Sequence, residues 1–271
     1  MLALPSSAYH ASLEADEDGF VLLTRTAAHR LVKGRAPLQT SLDLAFGATT
    51  TQESVLFWSE GSVRRAPKTG GTVSRLAALP ARPQRFVSSG DQFAWLTQGQ
   101  NGFSIFTLDG SKPSLTYASP GRIEALAMLS DWVFFVERPT DGSWRIGGVK
   151  GLGGTPVFTA LRPGRAPAML VGVEQLYYYD GNSFELRRLT PDLGQEETLA
   201  KGFVCSPLAV FEHVYCAQVE GIFELRSGAR PRRLVPAHLG APITSLAVNA
   251  RHVAFVTEAG AERLEVKVIP R

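Results

Sequence analysis

The chain is poor in the signals that usually announce a function. Its 271 residues contain no apolar run near the ~18 needed to span a bilayer as a helix, so no membrane insertion is expected. The opening Met1-Leu2-Ala3-Leu4-Pro5-Ser6-Ser7 has neither the basic start nor the apolar core of a secretion signal. Either the protein stays inside the cell, or a signal has been removed. No GxSxG, HExxH, GxxxxGK[ST] or EF-hand pattern occurs, which removes the motif-based routes to hydrolase, metalloprotease, nucleotide and calcium chemistry. Only two cysteines are present, with no CxxC and no paired-histidine spacing, so no metal and no cofactor is expected. An excess of one charge sign is also lacking, with 28 Lys and Arg against 25 Asp and Glu. The net +3 is spread along the chain rather than gathered into a stripe or tail, so nucleic acid is not the expected partner.

What the chain does have is a repeat. Phe20-Val21-Leu22-Leu23-Thr24 returns as Val55-Leu56-Phe57-Trp58-Ser59 and as Phe93-Ala94-Trp95-Leu96-Thr97. Further copies begin at Val133, Leu176, Val214 and Val253, so that seven short apolar runs follow one another at 35 to 43 residues. The runs are rich in aromatic and β-branched residues, apolar on both sides, and interrupted by Gly, Pro, Asn and Asp at short intervals. Such a run is a strand buried on both faces, not a helix. Repeats of this length built from short strands form a closed ring of sheets. The expectation is an all-β β-propeller of about seven four-stranded blades in one domain, residues 1–271.

Each repeat reads as four strands. Ile243–Val248 reads as an inner strand, Val253–Glu258 as the second and Leu264–Ile269 as the third, after which the chain stops at Arg271. In the fourth repeat, Arg122–Met128, Val133–Glu137, Trp144–Val149 and Thr155–Leu161 are the four strands, with Gly151-Leu152-Gly153-Gly154 as a connecting turn. The final repeat lacks an outer strand, and Met1–Pro5 reads like one. The N-terminal strand is therefore expected to close the ring.

Residues Phe57 to Gly71, FWSEGSVRRAPKTGG, resemble the repeat of bacterial YWTD-like β-propellers: an aromatic-Trp-polar-acidic turn, a strand, and a Gly-Gly turn. Leu176–Leu189 and Val214–Leu225 are looser copies. The resemblance implies a propeller and a binding scaffold, often outside the cytoplasm. Family members commonly carry six blades, whereas seven second strands occur here.

Candidate functional residues are few. Arg82, Arg122 and Arg165 occupy one equivalent position in three consecutive repeats, in the connection leading to an inner strand. An arc of guanidinium groups at the channel mouth would suit a carboxylate or phosphate, and solvated loop arginines are the alternative. Trp132 and Trp144 stand at turn edges and are candidate contact anchors, or else pack against a neighbouring blade. Glu60, Glu137, Asp180, Glu220 and Glu258 recur after the second strands and read as solvated turn acids. The five histidines are scattered. Cys205 and Cys216, on neighbouring strands, form either a disulfide or two buried thiols; a disulfide favours a periplasmic or extracellular location, and free thiols the cytoplasm. Three functions remain: a non-catalytic scaffold binding a protein partner through one rim face, a small-anion or glycan binder at the channel mouth, and a lyase or hydrolase in the channel. Leu126, Met169, Leu208 and Leu246 predict apolar channel walls, against the third.

Overall fold

The computed structural model describes residues 2–5, 12–15, 18–32, 35–42, 45, 48–79, 81–109, 112–139, 141–151, 153–202, 204–236, 241–258 and 263–271. Twenty-eight strands, with no helix among the described residues, form seven separate four-stranded antiparallel sheets. In chain order, β1 (Leu2–Pro5) comes first and belongs to the last sheet. Blade 1 holds β2 (Ser12–Ala15), β3 (Gly19–Leu23), β4 (Ala27–Val32) and β5 (Leu38–Ser41). Blade 2 holds β6 (Ala48–Thr50), β7 (Ser54–Ser59), β8 (Ser62–Pro67) and β9 (Ser74–Ala78). Blade 3 holds β10 (Pro83–Ser89), β11 (Gln92–Gly99), β12 (Gly102–Asp109) and β13 (Lys112–Ser119). Blade 4 holds β14 (Arg122–Leu129), β15 (Trp132–Arg138), β16 (Arg145–Lys150) and β17 (Val157–Phe158). Blade 5 holds β18 (Leu170–Gly172), β19 (Leu176–Asp180), β20 (Glu185–Leu189) and β21 (Glu196–Lys201). Blade 6 holds β22 (Leu208–Phe211), β23 (His213–Gln218), β24 (Gly221–Leu225) and β25 (Arg232–Pro236). Blade 7 holds β26 (Ile243–Val248), β27 (His252–Glu258) and β28 (Arg263–Pro270), completed by β1.

The expected closure is present. Leu2 pairs with Val266 and Pro5 with Arg263, so β1 covers the edge of β28 that would otherwise stay open. Second strands are buried on both faces along most of their length, all of β3 and the five central residues of β15 and of β27, because each sheet lies between two neighbours. The core is accordingly divided into seven clusters, one between each pair of adjacent blades. The cluster that joins the two ends of the ring packs Leu13, Phe20 and Leu22 against Ala247, Ala254, Val256 and Val266. Aromatic packing is close in blade 4, where a Cβ on Gly147 would stand 2.5 Å from the Phe135 ring and one on Gly148 2.7 Å from Phe134. Glycine there makes room for two consecutive phenylalanines.

Inner strands of adjacent blades lie against one another around the axis. Polar stitches join them from blade 7 to blade 4. Leu13 N donates to Ser245 Oγ at 2.9 Å, Thr50 donates from backbone and hydroxyl to Glu14, Thr49 and Ser88 share a 3.0 Å hydroxyl bond, and Ser130 N donates to Ser89 Oγ at 3.0 Å.

Two expectations need correction. The fourth strand of blade 4, expected over Thr155–Leu161, is only Val157–Phe158. Pro156 has no N–H to donate, and beyond Phe158 the ladder continues as single contacts: Thr159 N to Ile146 O at 2.9 Å and a bridge between Trp144 and Arg162. That bridge also draws Trp144 inward. It is 1% exposed, edge-on to Tyr178 at 6.1 Å, and it is part of the core between blades 4 and 5 rather than an exposed anchor.

Candidate functional site

The connections that lead into the inner strands and the turns after the second strands meet on one face, because both stand at the same end of the antiparallel blades. On that face a cavity of ≈ 1450 Å³ opens at the channel mouth beside blades 1 to 4. Its cationic lining is Arg25 from the turn after β3, Arg82 from the connection into blade 3, and Arg85 from β10. Gln84, Gln98 and Gln100 add amides, and Leu23, Val87 and Leu126 an apolar floor. No carboxylate stands among the described lining residues. Although Arg85 is exposed as a residue, desolvation pulls its guanidinium below the ordinary arginine range; Glu124 opposes that and the charge of Arg122 reinforces it.

The three arginines singled out by the repeat therefore separate. Arg82 lines the cavity, whereas Arg122 and Arg165 are not among its described lining. Arg122 opens β14 with its side chain 67% exposed, and its Nε lies 3.3 Å from Glu124, which Arg138 also approaches at 4.0 Å. Arg165 is exposed, and its backbone is clamped by Asn182, which accepts from Arg165 N and donates to Arg165 O, both at 2.8 Å. Sequence reasoning missed Arg25 and Arg85. Arg25 was findable: it directly follows Leu22-Leu23-Thr24, at the position where the second repeat has Glu60. Arg85 lies inside an inner strand, where repeat alignment gave no basic signal.

The column of acids also divides. Glu60, Glu220 and Glu258 are exposed, as expected of turn residues. Glu137 and Asp180 are buried instead. Glu137 Oε1 accepts from Tyr117 at 2.7 Å and from Ser119, while Arg145 Nε donates to Oε2 at 2.7 Å. Burial pushes the Glu137 carboxyl up, but the bonds from Ser119, Tyr117 and Arg145 together hold it below the usual range. Burial and the same Glu137 push the Tyr117 hydroxyl up to about 12. Similar tyrosine–glutamate–arginine clusters recur. Tyr178 bonds Glu196, which Arg162 and Arg187 hold at 2.9 and 2.7 Å; Tyr215 donates to Glu224 at 3.1 Å, with Arg226 at 3.1 Å. The first two clusters join neighbouring blades and the third lies within blade 6; all three use up their charges on one another.

Trp132 is half-buried and stacks on Phe134 with ring centres 5.8 Å apart, so it packs on the core between blades 4 and 5. Trp95 is fully buried, as expected of a second-strand residue. Leu126, Leu208 and Leu246 face the clusters between blades, and only Leu126 among them also reaches the cavity. Cys205 and Cys216 are bonded, with Cα atoms 5.0 Å apart, and both are buried. The bridge ties the connection into blade 6 to β23. His10 and His238 lie outside the described residues, and no group of metal-ligating side chains occurs among the described ones.

No family model and no curated protein matches the sequence. Solved structures do share its fold. Over 99% of both chains it is similar to virginiamycin B lyase from Staphylococcus aureus, with a TM-score of 0.72 and 12% identity. The β-propeller domain of Cps50 (Swd1) from Myceliophteria thermophila matches over 95% of each chain, with a TM-score of 0.70 and 10% identity. PorZ, a bacterial surface component of the type-IX secretion system of Porphyromonas gingivalis, matches 96% of this chain with a TM-score of 0.64 and 12% identity. The chain spans only 38% of the length of PorZ. At these identities the likeness establishes the propeller fold and transfers no site.

Proposed function

We propose that the protein is a non-catalytic binding scaffold that engages a protein partner through the face on which the cavity opens, with an acidic segment of the partner entering the channel mouth. The sign of the cavity lining carries this reading: Arg25, Arg82 and Arg85 face it and no described carboxylate does. Guanidinium forks match carboxylates in geometry as well as charge. The same face supports it with exposed apolar side chains. Phe184, Val204 and Val219 are 54%, 51% and 98% exposed, and their turns are joined by bonds from Gly202 N to Phe184 O and from Gln218 Nε2 to Val204 O. An apolar arc beside a basic mouth is the composition of a protein-docking rim. The YWTD-like reading of FWSEGSVRRAPKTGG fits a scaffold, and the buried Cys205–Cys216 bridge fits an oxidising compartment, periplasmic or extracellular. The described lining holds no histidine, cysteine or carboxylate, which supports binding over a lyase or hydrolase reading.

Fluorescence anisotropy with a labelled Asp/Glu-rich peptide tests the reading. Wild type is expected to bind, and an Arg25/Arg82/Arg85 triple Glu variant of equal melting temperature to lose binding. Single Arg122→Glu and Arg165→Glu variants should lose much less. Saturable binding of citrate or of oligogalacturonate, lost in the triple Glu variant, with no binding of the peptide would replace the protein partner with a small anion or an acidic glycan at the same mouth.

A further inference from the structure

On the opposite face, where the turns after the inner strands emerge, a second cavity of ≈ 430 Å³ straddles blade 3. That is the volume of a small-molecule site. Arg65 from blade 2, Asp91 from blade 3 and Asp131 from blade 4 line it, over apolar side chains that include Phe93, Leu108 and Met128. The charges do not neutralise one another. Arg65 forms no salt bridge with Asp91 or Asp131 among the described residues, and Asp131 has only the exposed Lys150 at 3.7 Å. Arg65 Nε is buried with no hydrogen-bond partner, and the Asp91 side chain, in the turn before β11, bonds no described residue. Arg65, half-buried in the cavity wall, thus carries no described counter-charge and is available to an anionic group.

We propose that this cavity binds a zwitterionic α-amino acid with an apolar side chain. Its carboxylate accepts from Arg65, its ammonium is held by Asp91 with Asp131 adding negative potential, and its side chain covers Phe93, Leu108 and Met128. A plain anion meets two carboxylates there and a plain cation meets the guanidinium, so each is disfavoured by one end of the site. A ligand carrying both charges satisfies both ends. The site lies away from the channel mouth and does not depend on what binds there.

Calorimetric titration with L-phenylalanine, 3-phenylpropionate and phenethylamine decides the matter. L-Phenylalanine is expected to bind with a Kd of about 1 mM or tighter. The two analogues, each lacking one charge, should bind roughly tenfold more weakly or worse. Asp91→Asn, in an exposed turn where folding is not at risk, should weaken L-phenylalanine by about tenfold and leave 3-phenylpropionate no weaker. Arg65→Gln should weaken L-phenylalanine and 3-phenylpropionate alike. Absence of saturable heat with L-phenylalanine, equal binding of the three compounds, or unchanged binding by the Asp91→Asn variant would overturn the proposal.

Discussion

Two glutamates carry opposite pH dependences. Glu137 is buried but bonded by Ser119, Tyr117 and Arg145, which hold its carboxyl below the ordinary range. A carboxyl depressed by folding adds stability above its unfolded pKa, near 4.3, and loses it as the pH falls through the folded value. Glu137→Gln should therefore cost about 1–3 kcal/mol at pH 7, with the difference from wild type shrinking below pH 4 in urea titrations. Glu14 behaves in the other sense. Burial raises its pKa, and the bonds from Thr50 and Thr49 and the charge of Lys68 offset that only in part. Its contribution is full below the unfolded pKa and is lost as pH rises through the raised folded value. Glu14→Gln is thus expected to be neutral or stabilising at pH 7.5, and the same urea midpoints will show it; a clear loss at pH 7.5 would mean the bonds outweigh desolvation. Neither role was legible in the sequence. Glu137 reads as a turn acid because it ends the apolar run, yet Tyr117 and Ser119 of the neighbouring blade bond its carboxylate and keep it inside the blade interface.

Elements were more legible than residues, since strand and turn alternate with local composition. Ile243–Val248 is found as read, and the expected second and third strands of blade 7 differ from His252–Glu258 and Arg263–Pro270 only by end residues. The shortened β17 was legible only in part: Pro156 stands in the sequence, whereas the isolated Trp144–Arg162 bridge, a contact between residues 18 apart, does not show there. The cysteines were legible as neighbours, and their bonding rests on register: Cys216 stands opposite Leu208, and Ala217 N donates to Pro207 O at 3.0 Å, which draws Cys205 back alongside β23. The bridge closes a short loop, for which chain-entropy reasoning gives about 3 kcal/mol. A Cys205→Ala/Cys216→Ala variant should accordingly lose about that much in urea unfolding. Added reductant should move the wild-type midpoint toward the variant's and leave the variant's own unchanged.

The ring as a whole was readable because seven copies of one pattern leave little choice of architecture, and because β1 resembles the outer strand that the seventh copy lacks. The channel-mouth cavity was not readable, since Arg25, Arg82, Arg85 and Leu126 come from three different blades and meet only after the ring has formed. Its position beside blades 1 to 4 reflects the divergence of the repeats rather than their similarity. Closure itself can be tested separately from the blades. Leu2 lies opposite Val266 on β28, so a short glycine-rich linker can join Arg271 to Met1 as a hairpin and make blade 7 continuous. If such a circular chain is opened within blade 3, between β12 and β13, the new terminal strands must still pair to complete that blade, and the interlock is kept at a new place. If it is opened in the connection between β13 and β14, every blade is continuous and nothing but the side-chain packing of blades 3 and 4 holds the ring shut. Linker and composition are the same in both permutants, so loop-closure entropy differs little between them. The first should retain a wild-type-like, single cooperative urea transition. The second should unfold at a clearly lower urea concentration, beginning at the unlocked junction, where hydrogen exchange in β10 and β14 will report earliest opening. Equal midpoints would show that the apolar cluster between blades 3 and 4, with Phe135, Leu126 and Ile105 at its centre, suffices to close the ring and that the pairing of β1 with β28 is dispensable.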